Sequence, residues 1–189
     1  MTVLFVNACL RGEQSRTLTL CREYLEGVGD VEEVNLTELR LEPYYGEAAA
    51  YRAQLEKDGQ FDDPMFDLGR QFAAADEIVI GAPYWDLSFP AALKVYIEHV
   101  AVMGMVFHYT AEGRCEGLCR AKHLTYITTG GGNVAAANFG YEYLRGIAGM
   151  FGIPEARFAA AENLDVVGAD IEANLDAARA RLAELKATR

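Results

Sequence analysis

The chain has 189 residues, 51% hydrophobic and 24% charged, with 28 acidic against 17 basic side chains and a formal net charge of −11. That length suits one domain over residues 1–189, and the acidic balance excludes a general nucleic-acid binder, which needs surplus Lys and Arg to neutralise phosphates. No stretch reaches the roughly 20 apolar residues of a membrane span, the first residues carry no signal-peptide pattern, and Cys9, Cys21, Cys115 and Cys119 lack framework spacing, so the expectation is a cytoplasmic protein with free thiols and no membrane partner.

Residues 2–6 form an apolar run that predicts a short buried strand. A helix is expected over 15–26, with Leu18, Cys21, Leu25 and Val28 on one face. Val31, Val34 and Leu36 suggest a second strand. The Ala-rich stretch within 44–58 predicts a helix on a long excursion, and a further helix covers about 64–75. Residues 77–82, with Ile78, Val79 and Ile80 together, predict a third strand that Gly81 and Pro83 end. Ser88 as a cap and Pro90 in the first turn predict a helix from about 88 to 102. Residues 105–110 suggest a small extended segment, 122–129 a strand and 130–133 a glycine loop. A helix over 139–151 stopped by Gly152, a strand over 155–161 and an amphipathic helix over 169–186 complete the chain. This alternation predicts an α/β three-layer sandwich around a five-stranded parallel sheet, with the flavodoxin-like order 2-1-3-4-5 as first choice.

In that topology the loops after strands one, three and four open at one edge. The first runs from Cys9 to Thr17, and its N–H groups at a helix start, with Arg11, Ser15, Arg16 and Thr17, suit an anion. Helix capping by Ser15 alone is the plainer account of the same residues. The second holds Pro83, Tyr84, Trp85, Asp86 and Leu87, two aromatics at a strand end where a flat ligand would lie; packing against a neighbouring loop is the alternative. The third holds Thr129, Gly130, Gly131 and Gly132, where the missing Cβ atoms let backbone N–H groups approach a ligand. Phosphate seat, aromatic wall and glycine slot together suit a phosphorylated planar cofactor. FMN fits each part, with N–H donors favouring negative charge on the ring's pyrimidine edge.

The segments Ala82-Pro-Tyr-Trp-Asp-Leu-Ser-Phe-Pro-Ala-Ala-Leu-Lys, Gly104-Met-Val-Phe-His-Tyr-Thr, Glu116-Gly-Leu and Ile127-Thr-Thr-Gly-Gly-Gly resemble the FMN-dependent NADH azoreductase and NAD(P)H:quinone oxidoreductase family. The likeness runs in order to about residue 153. It implies a flavodoxin-like homodimer with FMN at two sites, each lined by both chains. It places Tyr45, Phe107, His108 and Tyr109 around a substrate mouth. The implied reaction is a two-step hydride transfer through bound flavin, from NADH or NADPH to a small aromatic electron acceptor such as a quinone, azo or nitroaromatic compound. No catalytic side chain is required. Two departures stand out: Asp86 where many members carry asparagine, and Cys9 where serine is frequent.

Other chemistries fit less well. A low-molecular-weight tyrosine phosphatase needs five residues between its Cys and Arg, whereas Cys9 and Arg16 are separated by six. Cys115 and Cys119, near His108 and His123, lack a second strong ligand pair for a metal. A flavodoxin-type electron carrier would bind FMN without a nicotinamide substrate, and a regulatory module would keep the fold without the cofactor. The excursions at 40–75 and 103–120 favour an enzyme with a substrate mouth over a carrier.

Overall fold

The computed structural model describes residues 1–189. A parallel sheet is formed by β1 (Thr2–Asn7), β2 (Asp30–Asn35), β3 (Glu77–Gly81), β6 (His123–Thr129) and β7 (Glu155–Ala161), in the order β2-β1-β3-β6-β7. This is the expected topology; a separate antiparallel pair, β4 (Phe107–Tyr109) and β5 (Cys115–Gly117), intervenes in the numbering. Seven helices accompany the strands: α1 (Arg16–Leu25), α2 (Leu36–Leu39), α3 (Gly46–Asp58), α4 (Asp67–Ala74), α5 (Ala91–Val100), α6 (Phe139–Met150) and α7 (Ile171–Ala187).

Strand side chains alternate between two cores. On one face Leu4, Val6, Ile78 and Ile80 pack with Phe72, Leu93 and Leu144 from the helices. On the other, Val3, Phe5 and Val79 pack with Leu18 and Cys21 of α1 and Leu175 and Leu182 of α7. Because both faces are covered, the central strands read as unbroken apolar runs. Helix α1 meets α7 as well as the sheet, so its buried residues include Leu20 and Tyr24, while Leu25 and Val28 only pack at the edge.

One expectation is corrected. Helix α5 begins at Ala91, with Pro90 at its cap position, and Ser88 does not cap it. Ser88 instead donates its N–H to the Trp85 carbonyl (2.8 Å) and accepts the Trp85 N–H (3.1 Å). Between them Asp86 (φ 49°) and Leu87 (φ 67°) both lie in the left-handed region. Paired positive φ values closed by reciprocal bonds define a type I′ connection. The extended segment expected at 105–110 contains β4, and residues 115–117 supply its antiparallel partner. The hairpin sits against the end of α6, where a Cβ on Gly117 would lie 1.9 Å from the Gly152 nitrogen. Only glycine permits that backbone approach.

The amino ends of the strands are closed by ions. Glu77, 1% exposed, accepts from Arg189 Nε at 2.8 Å and from the Tyr24 hydroxyl at 3.3 Å. Arg157, also buried, donates to Glu155 (2.9 Å) and to the Thr188 carbonyl (3.0 Å). The carboxyl ends are left to loops. No helix is long and apolar enough to cross a membrane.

Candidate functional site

Four loops meet at the carboxyl ends of β1, β3, β6 and β7, around a cavity of about 420 Å³. The chain runs from β1 to β2 in one direction and reaches β3 on the other side, so the cavity lies at the switch point of the sheet, where open α/β folds bind ligands. Its volume falls within the range of about 300–1,000 Å³ usual for small-molecule sites.

The first wall comes from the loop after β1. Arg11, Ser15, Arg16 and Thr17 line it, joined by Gln14. Ser15 is extended at the helix cap (φ −84°, ψ 114°), and its Oγ accepts the Leu18 N–H at 3.3 Å. The first N–H groups of a helix have no partner within it. Those of Arg16 and Thr17 therefore point out of the end of α1, which carries the positive pole of the helix dipole. Capping leaves the first two N–H groups of α1 free for a ligand, because the cap takes only the third. The fully buried Thr17 hydroxyl lies 2.6 Å from that of Thr129, tying the start of α1 to the end of β6.

Pro83, Tyr84 and Trp85 form the second wall. Tyr84 N–H donates to the Thr129 carbonyl (3.0 Å) and extends the sheet by one bond. Its hydroxyl donates to the Ala137 carbonyl at 2.7 Å. The aromatic pair is thus held by backbone on two sides, with Trp85 38% exposed toward solvent.

Thr129, Gly130 and Gly131 make the third wall. A Cβ on Gly130 would meet the fully buried Val134 at 2.4 Å, so close packing demands glycine there, whereas one on Gly131 would meet the tip of the exposed Asp165 side chain at 2.4 Å. Gly130 N–H is taken by the Ala161 carbonyl at 2.9 Å, but neither the Gly131 nor the Gly132 N–H finds a partner within the chain. Unpaired donors beside an aromatic wall are what the edge of a planar heterocycle requires.

A fourth wall, Leu164 and Asp165 from the loop after β7, was absent from the sequence reading. Its N–H groups donate to the glycine loop: Asn163 to Gly132, Leu164 to Gly130 and Asp165 to Gly131, at 3.0 to 3.1 Å. Asp165 also pairs with Arg16, Oδ1 to Nη1, at 3.4 Å. The order 2-1-3-4-5 itself implied this wall, since every parallel strand delivers its following loop to the same edge.

Not every expected residue reaches the cavity. Cys9 is buried beneath the first loop, its thiol donating to the Gly81 carbonyl at 3.5 Å, and burial pushes its pKa up to about 11. Asp86 and Leu87 form the tip of the type I′ turn beside Trp85, and Gly132 lies one residue past the lining. Tyr45 is 72% exposed at the start of α3. Phe107 stacks on Phe151 (centroids 6.2 Å apart), His108 pairs with Glu116 at 3.4 Å, and Tyr109 projects from the hairpin, so none of these four lines this chain's own cavity. Cys115 and Cys119 sit apart from it as free thiols, and no group of side chains could hold a metal ion.

Comparison with known proteins places the chain among relatives. The family model described as having a flavodoxin-like fold matches residues 1–185. An FMN-dependent NADH:quinone oxidoreductase of Clostridium acetobutylicum is 43% identical over 129 residues, covering 65% of this chain and 64% of that one. The matched part thus spans less than two thirds of the length of such curated relatives. An azoreductase of Bacillus anthracis superposes over 100% of both chains, with a TM-score of 0.85 and 25% identity. An FMN-dependent NADH-azoreductase of Bacillus anthracis, solved in complex with FMN, shares the fold at a TM-score of 0.81 and 19% identity, with coverage of 99% and 98%.

Proposed function

Because the chain belongs to the flavodoxin-like fold family, we propose that it is an FMN-dependent NAD(P)H oxidoreductase that reduces quinones, azo compounds or nitroaromatics in two steps. The observation that carries this reading is the lining of one cavity, which brings together a helix start with Arg11 and Arg16, the aromatics Tyr84 and Trp85, and the unpaired Gly131 N–H. A phosphorylated planar cofactor needs both an anion seat and a flat wall. When bound, FMN would supply the hydride chemistry between a nicotinamide donor and the acceptor. The chain's own part is to hold and orient. Arg16, Ser15 and Thr17 fix the phosphate, Tyr84 and Trp85 limit the ring to one plane, and the Gly131 N–H favours negative charge at the ring edge.

The names of the relatives support this reading over a simple flavin carrier. A homodimer completes it. Tyr45 and Tyr109, 72% and 60% exposed and away from their own cavity, are then available to the partner's site, and light scattering of the purified protein checks the mass.

The decisive measurement is spectroscopic. Protein purified and titrated with FMN is expected to bind it, and anaerobic NADH or NADPH is expected to bleach the flavin absorbance, with colour restored by a quinone. Failure to take up FMN in excess sinks the reading. Bound flavin that neither nucleotide bleaches favours the electron carrier.

A further inference from the structure

Building on that reading, we propose that Asp165 is a specificity-determining residue that selects a flavin ending in a terminal phosphate, FMN, over one whose phosphate continues into a nucleotide, FAD. Asp165 is the one carboxylate lining the cavity. Its Oδ1 lies 3.4 Å from Arg16 Nη1, and the same nitrogen lies 3.5 Å from the Leu164 carbonyl. The pair links the loop after β7 to the start of α1, so a carboxylate stands beside the anion seat.

Its backbone holds Asp165 there, while its side chain is largely exposed. Its N–H donates to the Gly131 carbonyl at 3.0 Å, and its side chain lies so close to Gly131 that a Cβ there would come within 2.4 Å of Oδ2. A terminal phosphate needs only the first N–H groups of α1 and the guanidinium of Arg16. A diphosphate that continued past Arg16 would meet the Arg16–Asp165 pair and set its second phosphate beside a carboxylate. Repulsion placed against one ligand but not the other is how a site discriminates between two that share most contacts.

The test is a titration of the flavin-free protein with FMN and with FAD, followed by flavin fluorescence, for the wild type, Asp165→Asn and Asp165→Ser. The amide keeps the shape against Gly131 and removes the charge; the serine also shortens the side chain. The wild type is expected to prefer FMN, and both variants to narrow the FMN-to-FAD ratio by about tenfold, chiefly through tighter FAD. Melting curves of the flavin-free proteins establish that each variant is folded. An unchanged ratio in whichever variants fold overturns this inference and leaves the flavin reading standing, as does a wild type that binds both flavins equally. A wild type that takes neither flavin overturns both.

Discussion

At the scale of single residues, Arg16 and Thr17 sit side by side in sequence yet have separable roles. Arg16 is half-exposed and held only by long contacts to Asp165 and the Leu164 carbonyl, so Arg16→Gln is expected to weaken FMN binding about tenfold while leaving the melting temperature unchanged. Thr17 is fully buried, and Thr17→Val strips the Thr129 hydroxyl of its partner. That change is expected to cost about 1–3 kcal/mol of stability in urea unfolding as well as affinity. Equal loss of stability in the two variants would refute the division. Of the cavity's lining, the loops at 11–17 and 129–131 were readable because hydroxyls, arginines and glycines announce themselves. Leu164 and Asp165 were not, because nothing local marks a residue whose role depends on pairing with Arg16, distant in sequence.

At the scale of elements, the turn from Trp85 to Ser88 is the piece whose conformation its residues argue against. Type I′ turns favour Asn-Gly or Asp-Gly, since each central residue needs positive φ. Here Asp86 is tolerated, but Leu87 at φ 67° bears the left-handed penalty of about 1–2 kcal/mol for a side chain with a Cβ. Its carbonyl is held by the Phe139 N–H at 3.0 Å, which helps to impose the shape. Leu87→Gly is therefore expected to raise stability by about 1 kcal/mol, read as a higher denaturant midpoint. A lower midpoint would show that the leucine's packing outweighs its strain. The absence of glycine is also why sequence reasoning placed a capped helix at Ser88. The long β-branched strands and the glycine-stopped helix α6 were readable from pattern, while β5, three residues long, exists only through pairing with β4.

Over the whole molecule, the buried thiols act on alkaline stability together with the buried phenols of Tyr96 and Tyr126, which burial also pushes upward. Burial raises Cys9 from 9.0 to about 11 and Cys119 from 9.0 to about 12, and pushes Cys21 upward as well. Below pH 9 both folded and unfolded chains keep these protons, and stability does not depend on them. Between about 9 and 11 the unfolded chain gives up protons that the folded one retains, so stability falls as pH rises. Urea midpoints measured from pH 8 to 11 are expected to decline, and Cys9→Ala is expected to flatten the slope; a parallel decline in both proteins would assign it to other groups. The molecule also divides its labour along the strands, with ion pairs such as Glu77–Arg189 fastening the amino ends and loops at the carboxyl ends. The three hydrogen bonds from 163–165 onto the glycine loop have a consequence of their own. They can open while the sheet stays intact, because no strand depends on them. Solvent exchange of those three amide hydrogens then reads out whether the cavity is filled, without any probe attached to the ligand.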